Sequence, residues 1–147
     1  MINTTNLNEA RKQAEKLRKE NQEIVILSQD DEFNRKALEI KNLSMLVINE
    51  NLDVKDYGKQ RNSGLNEVLA HICSEKKIAI GVQIEEIIHK SDREKAKSLA
   101  RLMQNIMLCK KAGTKLVFTG NNKDKRALQA LLLTFGASTK QAQQATF

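Results

Sequence analysis

Carboxylates and amides gather just after the four short apolar runs of the chain. Ser28, Gln29, Asp30 and Asp31 follow the run at 24–27, and Asn49, Glu50 and Asn51 follow 45–48. Gln83, Glu85 and Glu86 follow 78–82, and Thr119, Gly120, Asn121 and Asn122 follow 116–118. If these runs are parallel strands, such positions are where ligands and catalytic groups collect in α/β folds. Asp30, Glu50 and Glu85 could then hold a magnesium ion for hydrolysis. Neither a histidine, nor a nucleophile beside a base, nor a glycine-rich phosphate cradle accompanies them. Carboxylates at helix starts are also favoured by the helix dipole and by capping. Capping is therefore the stronger reading, and a small metal-dependent hydrolase or phosphoesterase is the alternative.

The remaining reactive side chains are few. Two histidines, His71 and His89, write no HxH or HExxH pattern and are read as surface or boundary groups. Cys73 and Cys109 have no CxxC or histidine pairing and are expected to be reduced core thiols, not zinc ligands or a disulfide. Proline and tryptophan are absent and aromatics make up 3% of the chain, which argues against a stacking platform for single-stranded bases. A nucleic-acid partner would have to be met through charge.

The charge is unevenly placed. Residues 1–60 carry 10 Lys and Arg against 11 Asp and Glu, whereas residues 61–147 carry 15 against 7, so the net +7 arises wholly from the C-terminal part. A field of that sign attracts polyanions by releasing their counterions, with binding that is steep in salt and largely insensitive to sequence. RNA is the natural candidate partner, and a merely soluble basic surface is the other reading.

The elements that would position these groups alternate. The apolar runs at 24–27, 45–48, 78–82 and 116–118 read as buried parallel strands, with a fifth, 1–4, as an edge stub. Helical composition or spacing marks 7–21, 32–41, 64–77 and 92–111, with Asp92 as an N-cap and Ala112-Gly113 as a stop. Residues 127–135 read as a buried helix. The segment 49–63 is polar and mixed in charge, and is expected to be a flexible or partner-ordered loop. The pattern predicts a single α/β domain over 1–147 with right-handed crossovers and too few strands to close an eight-stranded barrel. No apolar run reaches the roughly 20 residues a membrane span needs, and the first eight residues lack signal-peptide character, so a cytoplasmic protein is expected.

Several segments also carry a resemblance. FNRKALE (33–39), RNSGLNEVLA (61–70) with a lysine-rich helix end, IAIGVQ (78–83), a long helix with Arg101, KLVFTG (115–120) and ALQALLLTFG (127–136) follow one another as in the archaeal ribonuclease P protein component 3 family, over about residues 23–136. The resemblance implies a partial TIM-like (PHP-like) barrel built of parallel βα units, in an apparently shortened member of the family. It implies a noncatalytic subunit of the ribonucleoprotein that removes the 5′ leader of precursor tRNA, where magnesium serves the catalytic RNA and this chain binds no cofactor. Expected partners are ribonuclease P RNA, protein component 2 and, indirectly, precursor tRNA, with a homodimer as another arrangement for covering open sheet edges. Carried over residue by residue, Arg35, Lys36, Arg61, Lys76, Arg101 and Lys123 become candidate RNA or partner contacts, and Gly64 a structural turn. For each basic side chain the competing reading is a solvated helix face or a local pair, such as Arg35 with Glu32 or Glu39. Where the family has Gly-Val-Asp the chain has Asn42-Leu43-Ser44. Where the family has Arg-x-Pro-x-Asp-Leu it reads Lys123 to Leu128, with Lys125 at the proline and Ala127 at the aspartate.

Overall fold

A computed structural model of the chain describes residues 1–120 and 124–145. The elements run α1 Leu7–Lys19, β1 Ile24–Leu27, α2 Asp31–Ala37, β2 Leu43–Ile48, α3 Glu67–Lys76, β3 Ala79–Gln83, α4 Ile84–Ile88, α5 Asp92–Ala112, β4 Leu116–Thr119, α6 Lys125–Thr134 and α7 Thr139–Ala145. The four strands form one parallel sheet in the order β1-β2-β3-β4. Ile2 adds a single parallel bridge to Ile26, donating to Val25 O at 2.7 Å and accepting from Leu27 N at 2.9 Å, so the expected edge stub is present as one residue. No helix among the described residues is long and apolar enough to cross a membrane.

Because sequential strands are also spatial neighbours, successive right-handed crossovers lay the helices on one face of the sheet. Strand register separates the two faces. Ile26, Leu46, Ile80 and Leu116 form one cross-sheet row, and Ile48, Val82 and Phe118 the next on the same side. All seven are buried in the main core with Phe33, Leu69, Cys73, Leu102, Ile106 and Leu132 from the helices. The opposite face carries Val25, Met45 and Ala79, then Leu27, Val47, Gly81 and Val117. None of these belongs to the helix-backed core, and Val25, Met45 and Ala79 remain partly exposed. The helices thus back one face of a four-stranded parallel sheet and leave strand side chains on the other.

Local signals explain most boundaries. Asn6, Asp30, Asn66 and Asp124 cap α1, α2, α3 and α6 through side-chain oxygens, and Gly113 ends α5 in the left-handed conformation. Four expectations need correction. Ser91, not Asp92, is the N-cap residue of α5. Strand β2 begins two residues early, at Leu43, where the Ser44 hydroxyl donates to Ile24 O at 2.7 Å. Helix α2 stops at Ala37, well short of residue 41. Helix α6 is amphipathic, not buried: Leu132 alone is buried and Leu133 stays exposed. Helices α4 and α7 were unforeseen. The first spans five residues with no room for a period, and the second buries only Ala142 and Ala145.

Both cysteines are buried and free, as expected, and burial pushes each thiol up to about 12. His71 and His89 are exposed.

Gly81 marks the tightest packing on the helix-free face. A Cβ there would sit 2.8 Å from both Met45 Sδ and Val47 Cγ2 and 3.2 Å from Thr119 Cγ2. Met45 can swing aside, but the branched Val47 cannot. Gly81→Ala is expected to destabilise the fold by about 1–3 kcal/mol in urea unfolding, the usual range for overpacking.

Candidate functional site

At the C-terminal ends of β1 and β2 lies a crevice of about 300 Å³, bordered by Asp30, Asp31 and Glu32 from the start of α2, Glu50 and Tyr57 from the segment after β2, and Arg101 from α5. Its floor is tied together by buried polar groups. Asn34 is wholly buried: its Oδ1 accepts from Gln29 N at 2.7 Å, and its Nδ2 donates to Gln29 O at 3.1 Å and to Gly64 O at 3.4 Å. Ser28 Oγ accepts from Asn49 N at 2.9 Å, joining the ends of the first two strands. Gly64, at φ +76°, makes the turn leading to α3, and a Cβ there would meet Ser28 Oγ at 3.3 Å.

Arg101 organises the roof. Its side chain is 11% exposed; Nε and Nη2 donate to Asp56 Oδ1 at 3.1 and 2.9 Å, and Nη2 also donates to Val54 O at 2.8 Å. Asp56 further accepts from Asn62 N at 2.9 Å and pairs with Arg61 Nη1 at 3.2 Å. One turn along α5, Gln104 Nε2 donates to Arg61 O at 2.9 Å while its Oε1 accepts from Arg61 N at 3.0 Å. Ser63 Oγ donates to buried Asn105 Oδ1 at 2.6 Å. The segment 49–63, expected to be flexible or ordered by a partner, is thus held by α5 of its own chain. Partial burial acts to raise the Asp56 carboxyl, but the Asn62 amide and the Arg101 and Arg61 guanidiniums outweigh it and hold the group below the ordinary 3.8.

The three carboxylates considered for magnesium have separate duties. Asp30 Oδ1 accepts from Phe33 N at 2.7 Å as the cap of α2. Glu50 is buried beside Lys90, which donates to Glu50 O and to Ser98 Oγ at 2.8 Å and lies 3.7 Å from Glu50 Oε2. Burial raises the Glu50 carboxyl, and the Lys90 charge opposes that rise. Glu85 is exposed at the start of α4. Among the described residues no group of three or more His, Cys, Asp or Glu could hold a metal ion.

The sequence-selected basic residues do not form one cluster. Arg101 and Arg61 converge on Asp56. Lys36 pairs with Glu32 at 2.6 Å, leaving Arg35 exposed with no ion pair among the described residues. Lys76 Nζ donates to Leu38 O at 2.9 Å, joining the end of α3 to that of α2. Lys123 lies outside the described residues. Asp56, Gln104 and Asn105 went unnoticed, since nothing local marks a polar residue whose partner is 42 to 45 positions away, and so did Asn34, which bonds Gln29 and Gly64.

The Asp56 pairing carries a pH signature. A carboxyl lowered by folding contributes stability that is fully present above its ordinary value of 3.8 and is lost as pH falls below that value through the lowered one. Asp56→Asn is expected to lower the melting temperature at pH 7 and to flatten its fall below about pH 4. It should also speed tryptic cleavage after Lys55 and Lys59. Unchanged proteolysis would show that the segment is held by other contacts.

No family model matches the chain. Over 129 residues, 88% of the chain, it is 28% identical to ribonuclease P protein component 3 of Methanococcus vannielii and 25% identical to the protein of that name from Methanococcus maripaludis. The chain spans about half the length of these curated relatives, 53% in each case. Its fold superposes on a chain from a cryo-EM structure of archaeal ribonuclease P with mature tRNA, with a TM-score of 0.76 at 23% identity, covering 96% of this chain and 60% of that one. In sequence the chain is similar to ribonuclease P protein component 3, and in fold to a chain of archaeal ribonuclease P.

Proposed function

We propose that the chain is a noncatalytic protein subunit of ribonuclease P, assisting a catalytic RNA in removing the 5′ leader from precursor tRNA. The observation that carries this reading is the similarity to curated component 3 proteins across 88% of the chain. The crevice supports it from the side of chemistry. Its buried cation and carboxylates are engaged in capping and clamping, as a scaffold needs, and magnesium chemistry is left to the RNA.

In this reading the sheet is part of a TIM-like barrel whose helix-free face is covered by another subunit. Component 2 is the proposed occupant, with a second copy of this chain as the other arrangement. An open parallel sheet leaves backbone groups unpaired at its outer edge and apolar surface on its bare face, so a stable pairing of about 1,200 Å² or more in total is expected. Arg35, Lys36, Lys76 and Lys123 are the proposed RNA or partner contacts, while Arg61 and Arg101 act by shaping the segment that roofs the crevice.

Reconstituted cleavage tests the reading. The isolated chain should leave precursor tRNA intact, and adding it to fixed amounts of ribonuclease P RNA and the other protein components should raise the cleavage rate at limiting magnesium. No change on addition would contradict the proposal. Cleavage by the isolated chain, abolished by Asp30→Ala or Glu85→Ala, would establish the hydrolase alternative instead.

A further inference from the structure

The rim opposite the crevice, where the strands begin, is built from four helix-to-strand turns, and each contains a residue in the left-handed region: Asn21 (φ 52°), Asn42 (φ 60°), Lys77 (φ 58°) and Gly113 (φ 75°). Glycine adopts this conformation freely and asparagine tolerates it through local hydrogen bonds, but lysine has neither advantage. Lys77 therefore holds a strained position that either of the residues used in the sister turns would relieve, and such strain is most often kept for function. Its side chain is exposed and makes no hydrogen bond or ion pair among the described residues.

Charge on this rim exceeds what helix ends require. Basic residues in the last turns of α1, α2, α3 and α5 complement the helix dipoles and need no other account. Lys41 and Lys115 stand beyond those helices, in the turns entering β2 and β4. Lys140 sits in the first turn of α7, where the dipole disfavours a cation. Lys110, Lys115 and Lys140 line a groove of about 340 Å³ together with the amides of Gln141 and Gln144. Exposed acids also stand on this rim, at Glu20, Glu23, Glu39 and Glu75, while the opposite rim exposes Asp30, Asp31, Glu32, Glu85 and Glu86 beside Lys55, Lys59 and Arg93.

We infer that this basic rim, with Lys41, Lys77 and Lys140 as contact groups, docks the phosphate backbone of a folded RNA. The inference rests on the RNA-linked reading above and deepens it by naming the surface. A protein partner would need an apolar centre, and none of the exposed large apolar side chains lies in these turns. Gln141 Nε2 donates to Ile106 O at 3.2 Å and Lys110 Nζ to Gly136 O at 3.1 Å, so the exposed lysines of the turns, with no exposed aromatic ring among them, are the groups that suit phosphate contact without base readout.

The test measures binding of a labelled RNA hairpin unrelated to ribonuclease P, over about 50–200 mM salt, for two triple variants of equal charge loss. Lys41→Ala/Lys77→Gly/Lys140→Ala removes rim charge, and Lys55→Ala/Lys59→Ala/Arg93→Ala removes it elsewhere. The rim variant should bind at least tenfold more weakly at low salt, its log-affinity slope against log salt flattened by about two to three units at roughly 0.7–0.9 per phosphate. The control should stay within twofold. Lys77→Gly alone should weaken RNA binding while its melting temperature holds or rises, a combination a purely structural lysine would not give. Equal loss in both triples, or wild-type binding by the rim variant, would overturn the inference. So would retained RNA binding with lost binding to polyglutamate, which would assign the rim to an acidic peptide. Because the hairpin is unrelated to tRNA processing, a failed reconstitution with this result intact would count against the ribonuclease P reading alone.

Discussion

The bond between Arg101 and Asp56 is the constraint on which the top of this molecule depends. A parallel sheet leaves the C-terminal ends of its strands to be closed by whatever follows them, and after β2 this chain supplies a long polar segment with almost no apolar anchor. A guanidinium brought up on the inner side of α5 and left without a partner would be costly at 11% exposure. Asp56 and Val54 O satisfy it, and in doing so fold the segment back over the crevice. The neighbouring Gln104 and Asn105 extend the same seam along α5 to Arg61 and Ser63.

That seam gives the crevice its character. Parallel α/β folds offer this location for chemistry, and the residues here include the carboxylates and amides chemistry would need. Several are instead drawn into structural pairs: Asp30 with the amide of Phe33, Glu50 with Lys90, Asn34 with Gln29. The opposite end is different. There the basic residues are exposed, several go beyond what helix dipoles ask for, and one occupies a strained backbone position.

Much of this architecture was legible in the sequence, for reasons tied to particular residues. The runs at 24–27, 45–48, 78–82 and 116–118 stood out because parallel strands backed by helices are apolar without interruption. Gly64 and Gly113 marked turns because left-handed backbone favours glycine. The stub at Ile2 was visible as an isolated apolar pair. Other features left no local trace. Helix α4 is too short to show a period, and α7 packs through two alanines. The run at 127–135 looked buried by composition, yet only a tertiary neighbour could decide that Leu132 turns inward and Leu133 outward. Arg101 was singled out as a candidate contact, but its partner, 45 residues away, is marked by nothing in its own neighbourhood. The gathering of lysines on the strand-start rim likewise follows from topology, which brings together residues scattered over a hundred positions.

The central claim, that the Arg101–Asp56 pair anchors the segment after β2 and so makes the crevice a structural element, is tested most directly by a double-mutant cycle. Urea unfolding of the wild type, Arg101→Ala, Asp56→Ala and the double variant yields the coupling free energy between the two side chains. The account predicts a coupling of about 1.5 kcal/mol or more, within the range for residues sharing one hydrogen-bonded network. Losses that add to within about 0.5 kcal/mol would contradict it, since independent sites behave in that way.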